Sequence, residues 1–158
     1  MTKTSDMILK RSLLSVLITA ALYSPQGMAF TRMVNDGETV TGETVANGIQ
    51  TIESGGRADY TTINNGGKQW VYGTTSDTAI NNGGNQYVLG KADKTTINNG
   101  GKQTVYSGGE ATNTTIENGG KQKLEFGKAD KTIIENGGKQ EVGRKSSASN
   151  TTINKGGT

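Results

Sequence analysis

The chain has 158 residues, of which only 30% are hydrophobic, with 24 glycines, one proline, and no cysteine or histidine. That is little apolar material for one thick globular core, and the missing Cys and His remove thiol nucleophiles, the commonest general base and the soft metal ligands. The formal charge of +3 falls to +1 once a basic leader is set aside, so the alkaline balance does not point to a nucleic-acid partner.

Residues 1–29 read as a signal peptide. Lys3, Lys10 and Arg11 form a basic n-region, Ser12 to Tyr23 an apolar stretch of twelve residues, and Gly27-Met28-Ala29 the small residues before a cleavage site. A membrane-spanning helix needs about 20 apolar residues, so a permanent anchor is the weaker reading. Export through the Sec machinery is expected, and a chain without cysteine is compatible with it. Residues 30–49 read as an N-terminal capping segment and residues 50–158 as repeats.

From Ile52 to Ile153 one phrase recurs six times, approximately Thr-Thr-Ile-Asn-Asn-Gly-Gly-Lys-Gln-x-Val. The column Ile63, Ile80, Ile97, Ile116, Ile134 and Ile153 is spaced 17, 17, 19, 18 and 19 residues. Gln50, Gln69, Gln86, Gln103, Gln122 and Gln140 keep the same period, at 19, 17, 17, 19 and 18. Two columns on one period imply a solenoid, in which each coil buries a few side chains against its neighbours. The same columns argue against disorder, which this composition would otherwise suggest.

Within each unit Thr-Thr-Ile and Gln-x-Val alternate as short strands with one face inward. The Ile column is expected inside, together with Ile52, Val71, Val88, Val105, Leu124 and Val142. Asn-Gly-Gly supplies a tight corner between the two strands, because Gly and Asn tolerate positive φ. An Asn-Gly between strands also suits a hairpin, but only parallel stacking places like on like in every coil. The reading is an all-β parallel β-solenoid of about six coils with 17–19 residue repeats, a rod of about 30 Å at ~4.8 Å per coil. A second corner of variable length accounts for the spread: Gly73, Gly90 and Gly127 turn alone, Gly55-Gly56 and Gly108-Gly109 as pairs. Thr61, Thr78, Thr95, Thr114, Thr132 and Thr151 are expected to form a hydroxyl ladder, each donating to the next coil. Asn65, Asn82, Asn99, Asn118 and Asn136 are expected to stack as an amide ladder.

The phrase Ala111 to Gln122, with Gly-Glu-Thr-Val at Gly37 to Val40, resembles the passenger of AIDA-type self-associating autotransporters. The likeness extends over about Val34 to Thr158. It implies a right-handed parallel β-helix displayed on a Gram-negative outer surface, with a role in adhesion, cell aggregation and biofilm formation. Its partners would be a second copy of itself or receptors on host or bacterial surfaces. Family members carry a longer passenger and a C-terminal translocating barrel, whereas this chain stops inside a repeat at Asn154 to Thr158. A truncated passenger is therefore expected, at the cell surface or outer membrane if a translocator is supplied and otherwise a remnant held in the periplasm. Passengers of this family can carry heptose on Ser and Thr, which makes Thr62, Thr96 and Thr115 candidate glycosylation acceptors.

No catalytic, metal or cofactor site is expected, and no small-molecule substrate. Asp59, Asp93 and Asp130 share a column, but Ser76, Thr112 and Ser149 interrupt it, which suits solvated corner residues better than a catalytic pair. None of the Gly-Gly pairs is followed by the x-Gly-x-Asp of calcium-binding rolls. Thr62, Thr96, Thr115 and Thr152 face outward, but Ala79 and Ile133 break the flat Thr array that ice binding uses.

Two surfaces remain. Trp70, Tyr72, Tyr87 and Tyr106 fall at outward positions on successive coils, as a binding patch for a sugar or protein or as a stacking ladder. A candidate self-association face comprises Asn64, Asn81, Asn98, Lys102, Glu117, Lys121, Glu135 and Lys139, and the Lys column equally suits a solvated face. The expected function is adhesion or self-association through a repetitive polar face, without catalysis. The alternatives are an inert remnant and a carbohydrate-binding module built on the aromatic patch.

Overall fold

The computed structural model describes residues 29–158; apart from Ala29, the expected signal peptide lies outside them. Every strand pairing is parallel, and each strand pairs only with its equivalents in the coils before and after it. Hairpins are thereby ruled out, and the chain is a parallel β-helix of three seven-stranded sheets. Four-residue strands such as Lys68–Val71 form the long sheet, three-residue strands such as Thr74–Ser76 the middle sheet, and two-residue strands such as Ala79–Ile80 the short sheet.

The count is seven coils rather than six. The segment expected to cap the stack contributes strands Thr31–Val34, Thr39–Thr41 and Thr44–Val45, one to each sheet. Each coil also has three strands where the sequence pattern indicated two. The extra strand carries a small inward residue, Ala58, Thr75, Ala92, Ala111 or Ala129, all buried. It is followed by a corner whose residue has positive φ without being glycine: Tyr60, Asp77, Lys94, Asn113, Lys131 and Asn150, at 51–54°. Such a backbone costs about 1 kcal/mol or more per site, which the adjoining ladders offset.

The expected inward columns are buried, from Ile52 and Ile63 through Leu124 and Ile134. Val142 and Ile153 differ, at 51% and 59% exposed, because they lie in the last described coil. Residues of the long and middle sheets pack as two clusters, one from Val34 to Val71 with Ala58 and one from Val88 to Ala129, and the isoleucines of the short sheet as a third.

A chain of buried amides threads the core. Gln69 donates from Nε2 to Gln50 Oε1 at 2.7 Å, and Gln86, Gln103, Gln122 and Gln140 each donate to the glutamine one coil earlier at 2.7–2.8 Å. The hydroxyl ladder expected of the Thr column does not form: Thr61, Thr78, Thr95 and Thr114 are buried, and their Oγ1 atoms have no partner. Geometry explains the contrast. Coils repeat every ~4.8 Å, and an amide carries donor and acceptor about 2 Å apart, leaving one hydrogen bond's length between neighbours. A hydroxyl is a single polar atom and cannot span the step.

The Asn ladder is displaced by one residue from its expected place. Asn81 donates to Asn64 and Asn98 to Asn81, each at 2.8 Å. The following asparagines, Asn65 to Asn136, instead sit beneath the next coil's first corner glycine: a Cβ on Gly83 would lie 2.3 Å from Asn65 Oδ1. That glycine needs its positive φ, +74° at Gly83, and the second needs its missing side chain, since a Cβ on Gly101 would lie 2.4 Å from the Ile80 carbonyl.

Gln103→Ala strands the Gln86 acceptor and the Gln122 donor in the core, and is expected to destabilise by about 2–4 kcal/mol in urea unfolding. Gly101→Ala forces the backbone against the coil below and should cost about 2–3 kcal/mol, whereas Gly108→Ala, where the new Cβ meets only the Leu89 carbonyl at an ordinary 3.7 Å but φ is positive, should cost about 1 kcal/mol. Equal losses at Gly101 and Gly108, measured by thermal unfolding, would contradict the close-approach argument.

Candidate interaction surfaces

The outward face of the long sheet changes character along the rod. Its central column runs Met33, Thr51, Trp70, Tyr87, Thr104, Lys123 and Glu141 in register. Trp70 and Tyr87 stack with ring centroids 4.3 Å apart, and Tyr106, one column over, stacks on Tyr87 at 6.4 Å. Three of the four expected aromatics thus form one staircase and partly cover each other's faces. Burial raises the Tyr106 hydroxyl above its ordinary pKa, helped by Glu125. Tyr72, 44% exposed, is in neither stacked pair and stands at the edge where the long sheet turns into the middle sheet.

The expected self-association residues lie on two neighbouring features. Asn64, Asn81 and Asn98 line the corner after the short sheet, where they are half-buried and bonded to one another; Glu117 and Glu135 continue their column, and Asn154 donates to Glu135 at 2.9 Å. Beyond the glycines, Lys68, Lys102, Lys121 and Lys139 stand at the start of the long sheet. Lys121 and Lys139 grip Glu141 at 2.7 and 3.0 Å, with Lys121 the larger cause, and hold its carboxyl down at about 2. Lys68 and Lys102 make no ion pair among the described residues.

The acid column of the middle sheet is a set of corner caps. Asn113 and Thr112 donate to Asp93 at 2.7 and 2.8 Å, and Asn150 and Ser149 donate to Asp130 at 2.6 and 2.8 Å. These bonds hold both carboxyls below their usual range, with the Asn113 and Asn150 bonds the largest causes. Among the described residues no group of three or more potential metal ligands comes together. Thr62, Thr96 and Thr115 point outward from the short sheet, half-buried, with Thr96 and Thr115 in register and Ala79 between Thr62 and Thr96.

The buried Gln column went unrecognised in the sequence as a ladder, although its parity with Val was the available signal. The corner after the middle sheet turns on Tyr60, Asp77, Lys94, Asn113, Lys131 or Asn150, without the Gly or Pro that ordinarily marks a turn in a sequence.

Comparison with known proteins agrees with this architecture. Residues 88–127 and 123–158 match the family of adhesins of the bacterial autotransporter system, probable stalk, known as AIDA. The chain is 42% identical over 82 residues to the probable autotransporter YpjA of Escherichia coli (strain K12), which covers 49% of this chain and 5% of that protein. The chain therefore spans only a small fraction of that relative's length. Among solved structures it is similar to a TibC-catalysed hyper-glycosylated TibA fragment, with 31% identity, a TM-score of 0.59, and 80% of this chain and 69% of that one covered. Residues 88–158 match the AIDA stalk repeats, and the chain resembles autotransporter adhesins in its repeats and in its fold.

Proposed function

We propose that this solenoid is a surface-displayed adhesive stalk that associates with further copies of itself side by side along its polar faces. The observation that carries the reading is repetition at a fixed step: Lys68, Lys102, Lys121 and Lys139 share one outward column and Asn64, Asn81, Asn98, Glu117 and Glu135 a second, so a contact made by one coil of a neighbouring rod recurs further along it. Individually such contacts are weak, and affinity comes from their number. Lys68 and Lys102, which make no ion pair among the described residues, can pair with a second rod, and Glu117 and Glu135 lie across the adjacent corner on later coils, which favours rods packed with their charges offset. The matches to autotransporter proteins support export and surface display. Because the similar TibA fragment is hyper-glycosylated, Thr62, Thr96 and Thr115 are proposed acceptors, each outward on one sheet.

An epitope-tagged copy supplied with a translocating barrel in a Gram-negative host tests the proposal. Whole-cell labelling and settling of the culture are expected. Lys68→Glu with Lys102→Glu should slow settling several-fold, and mixing those cells with cells carrying Glu117→Lys and Glu135→Lys should restore it. Settling no faster than with the barrel alone, or confinement to the periplasm, would overturn the reading. Intact-mass measurement after co-expression with a heptosyltransferase is expected to show added sugar that falls when the three threonines are changed to Val.

A further inference from the structure

The seven coils are not equally long at the corner between the long and middle sheets. Four residues separate the two strands in the second coil, Glu53 to Gly56, and in the fifth, Tyr106 to Gly109. Only two do so in the third and fourth, Tyr72-Gly73 and Leu89-Gly90. Two adjacent coils are thus recessed between two full ones, over a width of about 10 Å at ~4.8 Å per coil. The result is a notch of about 270 Å³, lined among others by Gly55, Tyr72, Thr74, Lys91, Gly108 and Glu110.

Its chemistry follows from the missing residues. The floor is bare backbone: a Cβ on Gly73 would lie 2.3 Å from the Glu53 and Gly56 carbonyls, and one on Gly90 2.2 Å from the Gly73 carbonyl. In a full corner the glycine N–H donates to the matching carbonyl of the next coil, as Gly37 does to Gly55. Gly55 has no counterpart above it and Gly108 none below. The Gly55 N–H and the Gly108 carbonyl accordingly have no backbone partner among the described residues, and they border the notch from opposite sides. Tyr72, not engaged in the aromatic stack, offers a ring at the rim. Lys91 and Glu110, consecutive in register on the middle sheet, line the adjoining wall, and neither makes an ion pair among the described residues.

We infer that this notch is a subsite for one neutral pyranose ring of a glycan. Pockets for drug-sized ligands run to roughly 300–1,000 Å³, so this one takes about a single ring. The ligand must be rich in hydroxyls, because the notch offers a backbone donor on one border, a backbone acceptor on the other, and an ammonium and a carboxylate along one wall. The two opposite charges leave the notch neutral, which disfavours a phosphate or a uronate. An aromatic rim suits the C–H face of a sugar. The site is distinct from the Trp70 staircase and from the lysine and asparagine columns of the self-association face.

Saturation-transfer NMR on the purified full chain, with methyl hexopyranosides and a methyl hexuronide as probes, tests the assignment. Transfer is expected to at least one neutral hexopyranoside. Tyr72→Ala should weaken it about tenfold, while Tyr72→Trp and the exposed-corner variant Tyr60→Ala should retain it. A second variant fills the notch without removing any lining side chain: Ser-Gly inserted after Tyr72 and again after Leu89 makes both coils the length of their neighbours. It should fold, by circular dichroism, and lose transfer. Retained transfer in the filled variant, equal loss in Tyr60→Ala, preference for the hexuronide, or no transfer to any probe would overturn the proposal. Loss of sugar binding with settling intact would separate this site from the self-association face.

Discussion

In a parallel stack every backbone hydrogen bond of a strand goes to the coil before or after it, in register, so each position is forced to neighbour its own equivalents. The interior can then hold only side chains that tolerate themselves at ~4.8 Å. Ile on Ile and Val on Val satisfy this by packing. Gln on Gln satisfies it because an amide is complementary to its own translated copy, donor to acceptor, and a fully buried polar column becomes a continuous hydrogen-bonded chain. Like charges stack only on the outer faces, where solvent or a counter-charge separates them, as Glu141 does for Lys121 and Lys139. In the outward end column of the middle sheet carboxylates alternate with hydroxyls, Asp59, Ser76, Asp93, Thr112, Asp130 and Ser149, and the later hydroxyls donate to the acid beneath.

The same rule sorts what was legible in the sequence. Ile63 and its equivalents, Val71 and its equivalents, and the Asn-Gly-Gly corners were readable, because each is an apolar or conformational signal that repeats. The strand through Ala58, Ala92 and Ala111 was not: alanine is a weak apolar mark, Thr75 breaks its column, and the corner after it uses Tyr60 or Lys94 where glycine is the usual signature. The first coil escaped notice because Val34, Val40 and Val45 occupy the inward places without the Thr-Thr-Ile phrase. The Thr column was correctly placed by parity, yet its bonding was misjudged, since parity says which way a side chain points and nothing of its reach.

The candidate surfaces show the same division. Outward positions followed from alternation, so Trp70, Tyr87, Lys102 and Lys139 lie where expected. Which of them are already engaged depended on neighbours in three dimensions. Tyr106 reaches diagonally to Tyr87, and Glu141 draws in Lys121 and Lys139, while Lys68 and Lys102 stay without an ion pair among the described residues. A one-dimensional pattern cannot distinguish a lysine held by its own sheet from one available to another molecule.

Variation in corner length separates relief from support. Strands on either side of the short corners keep the register of their neighbours, Trp70 on Thr51 and Thr74 on Arg57, although two residues between them are gone. The cross-section of the core is therefore indifferent to what happens at that joint. Over generations, small insertions and deletions there can carve or fill hollows at chosen heights along the rod while the load-carrying interior is inherited unchanged, much as a column may be re-fluted without being rebuilt.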